Sequence, residues 1–397
     1  MTLNDTPRGM RLHIGIFGKR NTGKSTMMNA LTNQPIALVS DIAGTTTDPV
    51  YKSMEIKGIG PVVFIDTAGF DDVGTLGEKR VSMTEDTIKK TDIALFLFTD
   101  VPDIEKEWIE KLKEKKIPII PIINKSDILQ DTEKIFNEVK KITNDDPVIV
   151  SAEKKIGITE IRKQIIYKLP EGYDGESLTG NLVSEDDTIL LVMPQDIQAP
   201  KNRLILPQVQ TIRELLDKKC TVICCTTDKL KQTLGKLQEP PELIITDSQV
   251  FPIVWEQKPK ESKITSFSVL MAGMKGDIEE FIKGAKAISN LKANSSILIA
   301  EACTHAPLPE DIGREKIPNM LRKKLGDEIK VKIATGRDFP KNLKDFDIII
   351  HCGACMFNRK YVLSRIEEAK KYGIPMTNYG CVIAYMSGIL DKISWVK

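Results

Sequence analysis

The stretch Gly18-Lys-Arg-Asn-Thr-Gly23-Lys24-Ser25 constrains the fold of this chain more than any other. It has the form G-x4-G-K-S. Arg11 to Phe17 before it reads as a strand, and Thr26 to Leu31 after it reads as a helix. Strand, Gly-rich loop and helix in that order are the context a phosphate-binding loop requires. Gly18 and Gly23 let backbone N–H groups close around phosphates, and the helix N-terminus adds positive potential. In such a loop Lys24 reaches the β- and γ-phosphates and Ser25 holds Mg²⁺. Asn21 and Thr26 complete the lining. The alternation of strands and helices that follows predicts a mostly parallel sheet with helices on both faces.

Three further motifs stand at the ends of predicted strands. Val62-Val-Phe-Ile runs into Asp66-Thr-Ala-Gly69, where Asp66 is placed to hold Mg²⁺ through water and the Gly69 N–H to sense a γ-phosphate. Ile119-Ile-Pro-Ile-Ile runs into Asn124-Lys125-Ser-Asp127. A carboxylate at Asp127 accepts from both guanine N1–H and the exocyclic amine, so it selects guanine over adenine. Val148-Ile-Val leads into Ser151-Ala152-Glu153, a base-contacting loop. Four motifs in this order, each at a strand end, resemble the GTPase family. Ala43-Gly-Thr45-Thr46-Thr47-Asp48 resembles the first switch of the TrmE–Era group. That resemblance implies Thr46 as the second Mg²⁺ ligand, with Thr45 and Thr47 as alternatives. A Ras-like enzyme has a water-orienting Gln after Asp-x-x-Gly, but Phe70 stands here and cannot orient water. TrmE-like GTPases are also hydrophobic there and hold K⁺ through a P-loop Asn, so the resemblance implies K⁺ at Asn21 and slow, K⁺-stimulated GTP hydrolysis. The expected GTPase domain covers residues 10–170.

A chain of 397 residues exceeds one ordinary core and suggests about two or three domains. Fifty-seven Lys and Arg against 55 Asp and Glu leave a net charge of +2, which gives no basic field for nucleic acid. No apolar run reaches the roughly 18–20 residues of a membrane span. Met1 to Arg8 carries no apolar leader segment. Seven cysteines without such a leader suggest a reducing, cytoplasmic setting in which thiols serve metals or chemistry. No sequence repeat is apparent.

Residues 171–187 are Gly-rich and polar and read as a linker. Over 188–265 the pattern gives strands at Thr188–Val192, Thr221–Cys225 and Leu243–Thr246, with helices between. A β-α-β unit this small is thin for an independent core, so pairing with a second chain is expected, as a dimerisation domain. Cys220, Cys224 and Cys225 are expected to fill core spaces.

Over 266–397 a strand is expected at Phe267–Met271. A second, Ser296–Ala300, precedes Cys303-Thr-His305, and a third, Ile348–Ile350, precedes His351-Cys352-Gly-Ala-Cys355. If the last two strands are parallel neighbours, their C-terminal ends bring Cys303, Cys352 and Cys355 together where open α/β sheets place ligands. Three cysteines with a weak fourth ligand suit a 4Fe-4S cluster. Cys₃His suits zinc equally by count, and spacing does not separate them. Ligands from distant strand ends, in a sheet that needs no metal to fold, favour iron.

C-x-H, about 45 residues, then H-C-x-x-C, behind a TrmE-like GTPase and a middle domain, resembles the FeFe-hydrogenase maturation GTPase family, HydF. The likeness spans essentially the whole chain. It implies a 4Fe-4S cluster on Cys303, Cys352 and Cys355, with His305 and His351 as fourth or nearby ligands. It also implies a scaffold that receives a two-iron precursor made with two radical-SAM maturases and passes it to apo FeFe-hydrogenase. The expected fold class is α/β with three doubly wound units: P-loop GTPase, small dimerisation domain and iron–sulfur domain. Homo-oligomers, dimeric or larger, would form through the middle one, with no nucleic-acid or membrane partner. The alternative is a TrmE/Era-like RNA-modification or ribosome-assembly GTPase with a metal-binding tail.

Overall fold

The computed structural model describes residues 8–32, 50–56, 59–67, 69, 75–170, 177–194, 204–302, 311–336, 339–340, 342–354 and 357–396, with backbone alone at 8 and 75–80. The chain forms two compact units, Met1–Gly175 and Glu176–Lys397. The first is a P-loop GTPase fold. Strand β1 (Leu12–Phe17) feeds the Gly-rich loop and helix α1 (Lys24–Thr32). Strands β2 (Val50–Ile56) and β3 (Gly60–Asp66) pair antiparallel. Then α2 (Thr75–Ile88), β4 (Ile93–Phe98), α3 (Glu105–Glu114), β5 (Ile119–Ile123), α4 (Thr132–Thr143), β6 (Val148–Ile149) and α5 (Ile158–Tyr167) alternate. The sheet order is β2-β3-β1-β4-β5-β6, and every pairing except β2–β3 is parallel.

The apolar run in β4 shows why. Ile93, Leu95 and Leu97 pack on one face with Met27, Leu31, Ile161 and Ile165. Ala94, Phe96 and Phe98 pack on the other with Trp108, Ile109, Ile135 and Val139. Side chains alternate along a strand, so a continuous apolar run requires a cover on each face. The Gly-rich loop, Asp66, Asn124 and Ser151 all follow C-terminal strand ends of this sheet.

The second unit holds two four-stranded parallel sheets. The first is built from β7 (Thr188–Val192), α6 (Leu206–Asp217), β8 (Thr221–Cys225), α7 (Leu230–Leu234), β9 (Leu243–Thr246), α8 (Phe251–Gln257) and β10 (Lys263–Ser266). Helices α9 (Phe267–Lys275) and α10 (Ile278–Ala287) lead to the second. It is built from β11 (Ser296–Glu301), α11 (Ile317–Leu325), β12 (Lys330–Thr335), β13 (Ile348–His351), α12 (Arg359–Lys371), β14 (Met376–Asn378) and α13 (Tyr379–Met386). The orders are β10-β9-β7-β8 and β12-β11-β13-β14. Both are second-first-third-fourth, so a repeat exists in topology that the residues do not advertise. One core joins the two sheets: Leu190, Ile244 and Ile264 share it with Leu298, Ala300 and Ile349, through Val269, Ala272 and Phe281 of α9 and α10.

Three local expectations change. Phe267–Met271 is helical, because β10 ends one residue earlier and the Ser266 side chain accepts from Val269 N at 3.2 Å as an N-cap. An apolar run buried all round does not separate strand from helix by periodicity. Cys224 is exposed and Cys225 half-buried, since β8 is the edge of its sheet; only Cys220 of the three is buried. Part of the Gly-rich stretch after 170 is tied down. Glu214 of α6 accepts from Ser177 Oγ, Leu178 N and both the N and Oγ1 of Thr179, at 2.6–2.8 Å. Lys218 donates to Gly180 O at 2.7 Å. Among the described residues no helix is long and apolar enough to cross a membrane.

Candidate functional site

The Gly-rich loop is shaped by its own donors and acceptors. Lys24 Nζ donates to Gly18 O at 2.8 Å and Lys19 O at 2.6 Å, so the ammonium lies inside the loop. Gly18 and Gly23 have φ of 148° and 88°, backbone that favours glycine. Asn21 sits at the loop tip, exposed, at φ 59°. Asn124 closes the arrangement from below. Its Nδ2 donates to Thr22 O at 2.7 Å and its Oδ1 accepts from Ala152 N at 3.0 Å, so one side chain ties the phosphate loop to the Ser151 loop. A Cβ on Gly23 would stand 2.4 Å from that Nδ2.

Ser25 Oγ donates to Asp66 Oδ2 at 2.6 Å, and Asp66 Oδ1 is buried with no hydrogen-bond partner among the described residues. Burial raises the Asp66 carboxyl above its usual range; Ser25 and Lys24 offset this only in part. An orphaned carboxylate oxygen beside a hydroxyl is a donor set that fits Mg²⁺. Gly69 is buried nearby in sequence. Asp127 is held below the usual carboxylate range by the Ser151 hydroxyl and, more weakly, by Lys154 at 3.4 Å, so it is an anion ready to accept two hydrogen bonds. Lys125 takes φ 62° behind it, and Thr26 lies half-buried at the start of α1. Thr46, with Thr45 and Thr47, and Phe70 lie outside the described residues. The sequence did not single out Lys19, which pairs with Asp103 at 2.7 Å, Glu105 at 3.1 Å and Asp100 at 3.4 Å. These contacts fasten the phosphate loop to the segment after β4.

In the second unit β11 and β13 are parallel neighbours, with Ala300 opposite His351. The condition for bringing the two cysteine segments to one place is therefore met. Chain order makes the gap between β11 and β13 the switch point of this sheet, the position where such sheets bind ligands. Cys352 N donates to Ala300 O at 2.9 Å. Cys352 Sγ accepts from Ala302 N at 3.0 Å and Ala354 N at 3.4 Å, the latter turned inward by a left-handed Ala354 at φ 51°. Two backbone donors on one sulfur suit a thiolate or a metal-bound sulfur. Ala302 directly precedes Cys303 in the chain. Cys303, His305 and Cys355 lie outside the described residues, and among the described ones no metal-ligating group of three or more assembles.

His351 is fully buried, with both ring nitrogens engaged. Arg365 Nη1 donates to Nε2 at 2.7 Å, so Nδ1 carries the proton and donates to Cys352 O at 2.8 Å. Burial and the neighbouring guanidinium push His351 down to about 3, so it is neutral. In this arrangement it offers no free nitrogen to a metal and instead braces the Cys352 peptide. Arg365 and Tyr379, whose hydroxyl is buried without a partner among the described residues, belong to the site but carried no signal in the sequence. A cation in an amphipathic helix reads as a solvated residue until the fold buries it.

The chain can now be set beside known proteins. Residues 13–125 match the family model of a 50S ribosome-binding GTPase. The tRNA modification GTPase MnmE of Desulforamulus reducens is 37% identical over 163 residues, 40% of this chain and 34% of that protein. GTPase Era of Borrelia turicatae is 35% identical over 175 residues, 40% of this chain and 57% of that protein. The chain thus spans about a third of MnmE and little more than half of Era. A crystal structure of Aquifex aeolicus Era bound to GDP and AlF4⁻ aligns at TM-score 0.36 and 19% identity, over 63% of this chain and 98% of that one. Residues 178–276 match the hydrogen maturase F dimerization domain and residues 279–394 the hydrogen maturase F tetramerization domain. These two matches together take in more than half of the chain, behind a GTPase domain, and the chain belongs to the hydrogen maturase F family.

Proposed function

We propose that this protein is a GTP-hydrolysing scaffold in the cytoplasm that holds a 4Fe-4S cluster and carries a two-iron precursor from radical-SAM maturases to apo FeFe-hydrogenase. The observation that carries the reading is the parallel register of β11 and β13. It sets the Cys352 sulfur on the N–H of the residue before Cys303. The matches to dimerization and tetramerization domains support a homo-oligomer built through residues 178–394.

In the GTPase unit Lys24 exchanges its two carbonyl acceptors for β- and γ-phosphate oxygens. Gly18, Gly23 and the start of α1 present backbone N–H groups to the same oxygens. Ser25, Thr46 and Asp66 hold Mg²⁺, and Asn21 holds K⁺. The two cations supply charge neutralisation at the phosphates when bound. Asp127 selects guanine, with Asn124, Lys125, Ser151 and Ala152 shaping the base pocket. Gly69 reports the γ-phosphate, and the ordering of the segments around Thr46 and Asp66 alters partner affinity, as in other nucleotide switches.

In the second unit Cys303, Cys352 and Cys355 would hold the cluster, with His305, two residues after Cys303 in the sequence, as a fourth or nearby ligand. Two substitutions test the division of labour on the full-length protein. Lys24→Ala abolishes GTP turnover and retains iron, while Cys352→Ser loses iron and retains GTP turnover. Activation of apo-hydrogenase fails with both. Iron lost from Lys24→Ala, or hydrogenase activation retained by Cys352→Ser, contradicts the reading.

A further inference from the structure

Arg365 lies on α12 and is only 3% exposed. Among the described residues no carboxylate pairs with it. Nη1 donates to His351 Nε2 at 2.7 Å, and Nη2 donates to Gly336 O at 2.8 Å and to Tyr361 Oη at 3.4 Å. Nε is buried with no acceptor among the described residues. Three rings surround the guanidinium: Phe339, Tyr361 and Phe357 stand 4.6, 4.7 and 5.0 Å from its central carbon. The rings attract a cation but carry no net charge. A desolvated cation without an anion is costly, and removal of water normally goes with a paired counter-charge. The Cys352 centre, linked to Arg365 through His351, is a group able to supply that charge.

The connection is short. Arg365 reaches His351, and the His351 Nδ1–H reaches the Cys352 carbonyl at 2.8 Å. The Cys352 sulfur already accepts two backbone N–H groups. A cluster core held by three thiolates is a net anion, and net charge and hydrogen bonds to sulfur set the reduction potentials of such clusters.

We propose that Arg365 is the buried counter-cation of the Cys352 centre and, acting through His351, raises the reduction potential of the cluster held there. This rests on the reading that Cys303, Cys352 and Cys355 bind a 4Fe-4S cluster. Arg365 is a positioning residue, not a ligand. When the cluster takes one electron from a chemical reductant, no bond to Arg365 forms or breaks and its proton count stays constant.

The test is an EPR-monitored titration with dithionite of the anaerobically reconstituted full-length protein. It compares the parent with Arg365→Lys, Arg365→Met and Arg365→Gln. The Met and Gln variants retain the parental iron content but shift the midpoint to more negative potential, while Lys stays close to the parent. A common midpoint for all four, at equal iron content, overturns the proposal. So does a Lys variant shifted as far as Met. If both neutral variants fail to fold even without iron, the guanidinium is a structural post and the proposal falls. A parent protein that takes up no iron–sulfur cluster refutes the cluster reading instead, so the two failures are distinguishable.

Discussion

Asn124→Ala removes one buried side chain and severs two loops at once. Asn124 is 2% exposed and bridges Thr22 O and Ala152 N at 2.7 and 3.0 Å. The substitution leaves a carbonyl and an N–H buried without partners, and each such orphan costs about 1–3 kcal/mol. We expect the GTPase unit to lose about 2–4 kcal/mol of stability in urea unfolding. If about 2 kcal/mol of this is spent re-ordering the loops on binding, affinity for a fluorescent GDP analogue falls roughly 30-fold. Gly23→Ala provides the internal control. Its new Cβ would meet Asn124 Nδ2 at 2.4 Å, at φ 88°. The clash disappears in the Asn124→Ala background whereas the backbone strain persists, so the double variant is destabilised less than the sum of the singles. An Asn124→Ala change below about 0.5 kcal/mol, within the usual range of surface substitutions, together with unaltered GDP affinity, would refute the bridge.

Ser266→Ala removes the cap of α9 and its hydroxyl contacts to Ser248 and Ser268 at 3.0 and 3.1 Å. A loss of about 1–2 kcal/mol is expected in unfolding followed by circular dichroism, and no loss would contradict the cap. Glu214 is partly buried, which alone would raise its carboxyl, but the hydrogen bonds from Ser177, Thr179 and Leu178 prevail and hold it below the usual range. A lowered folded-state value means its stabilisation is complete above the unfolded value, about 4.3, and is lost as pH falls through the folded one. The acid limb of the stability–pH profile should therefore flatten in Glu214→Gln, and an unchanged limb argues against the clamp. Asn21→Ala should equalise GTP hydrolysis in KCl and NaCl; a persisting K⁺ advantage removes Asn21 as the K⁺ residue.

The GTPase architecture was legible because each motif follows a strand whose apolar run already implied a parallel, doubly covered sheet. The parallel pairing of β11 with β13 was legible for the same reason, since Ser296–Ala300 and Ile348–Ile350 read as buried strands. What pairing partners do to a side chain was not legible. The His351 ring reads as a ligand beside Cys352, and only the position of Arg365, fourteen residues later in the sequence, occupies its second nitrogen. The helix at 267–275 and the exposure of Cys224 depended on where β10 ends and on which strand lies at the edge. Both are set by long-range packing, not by local pattern.

Anaerobic purification followed by determination of iron, acid-labile sulfide and zinc, with a visible spectrum, tests the central claim most directly. A centre built on Cys303, Cys352 and Cys355 gives about four iron and four sulfide per chain and a broad absorption that dithionite bleaches. Stoichiometric zinc without sulfide, or iron that survives replacement of all three cysteines, would contradict it.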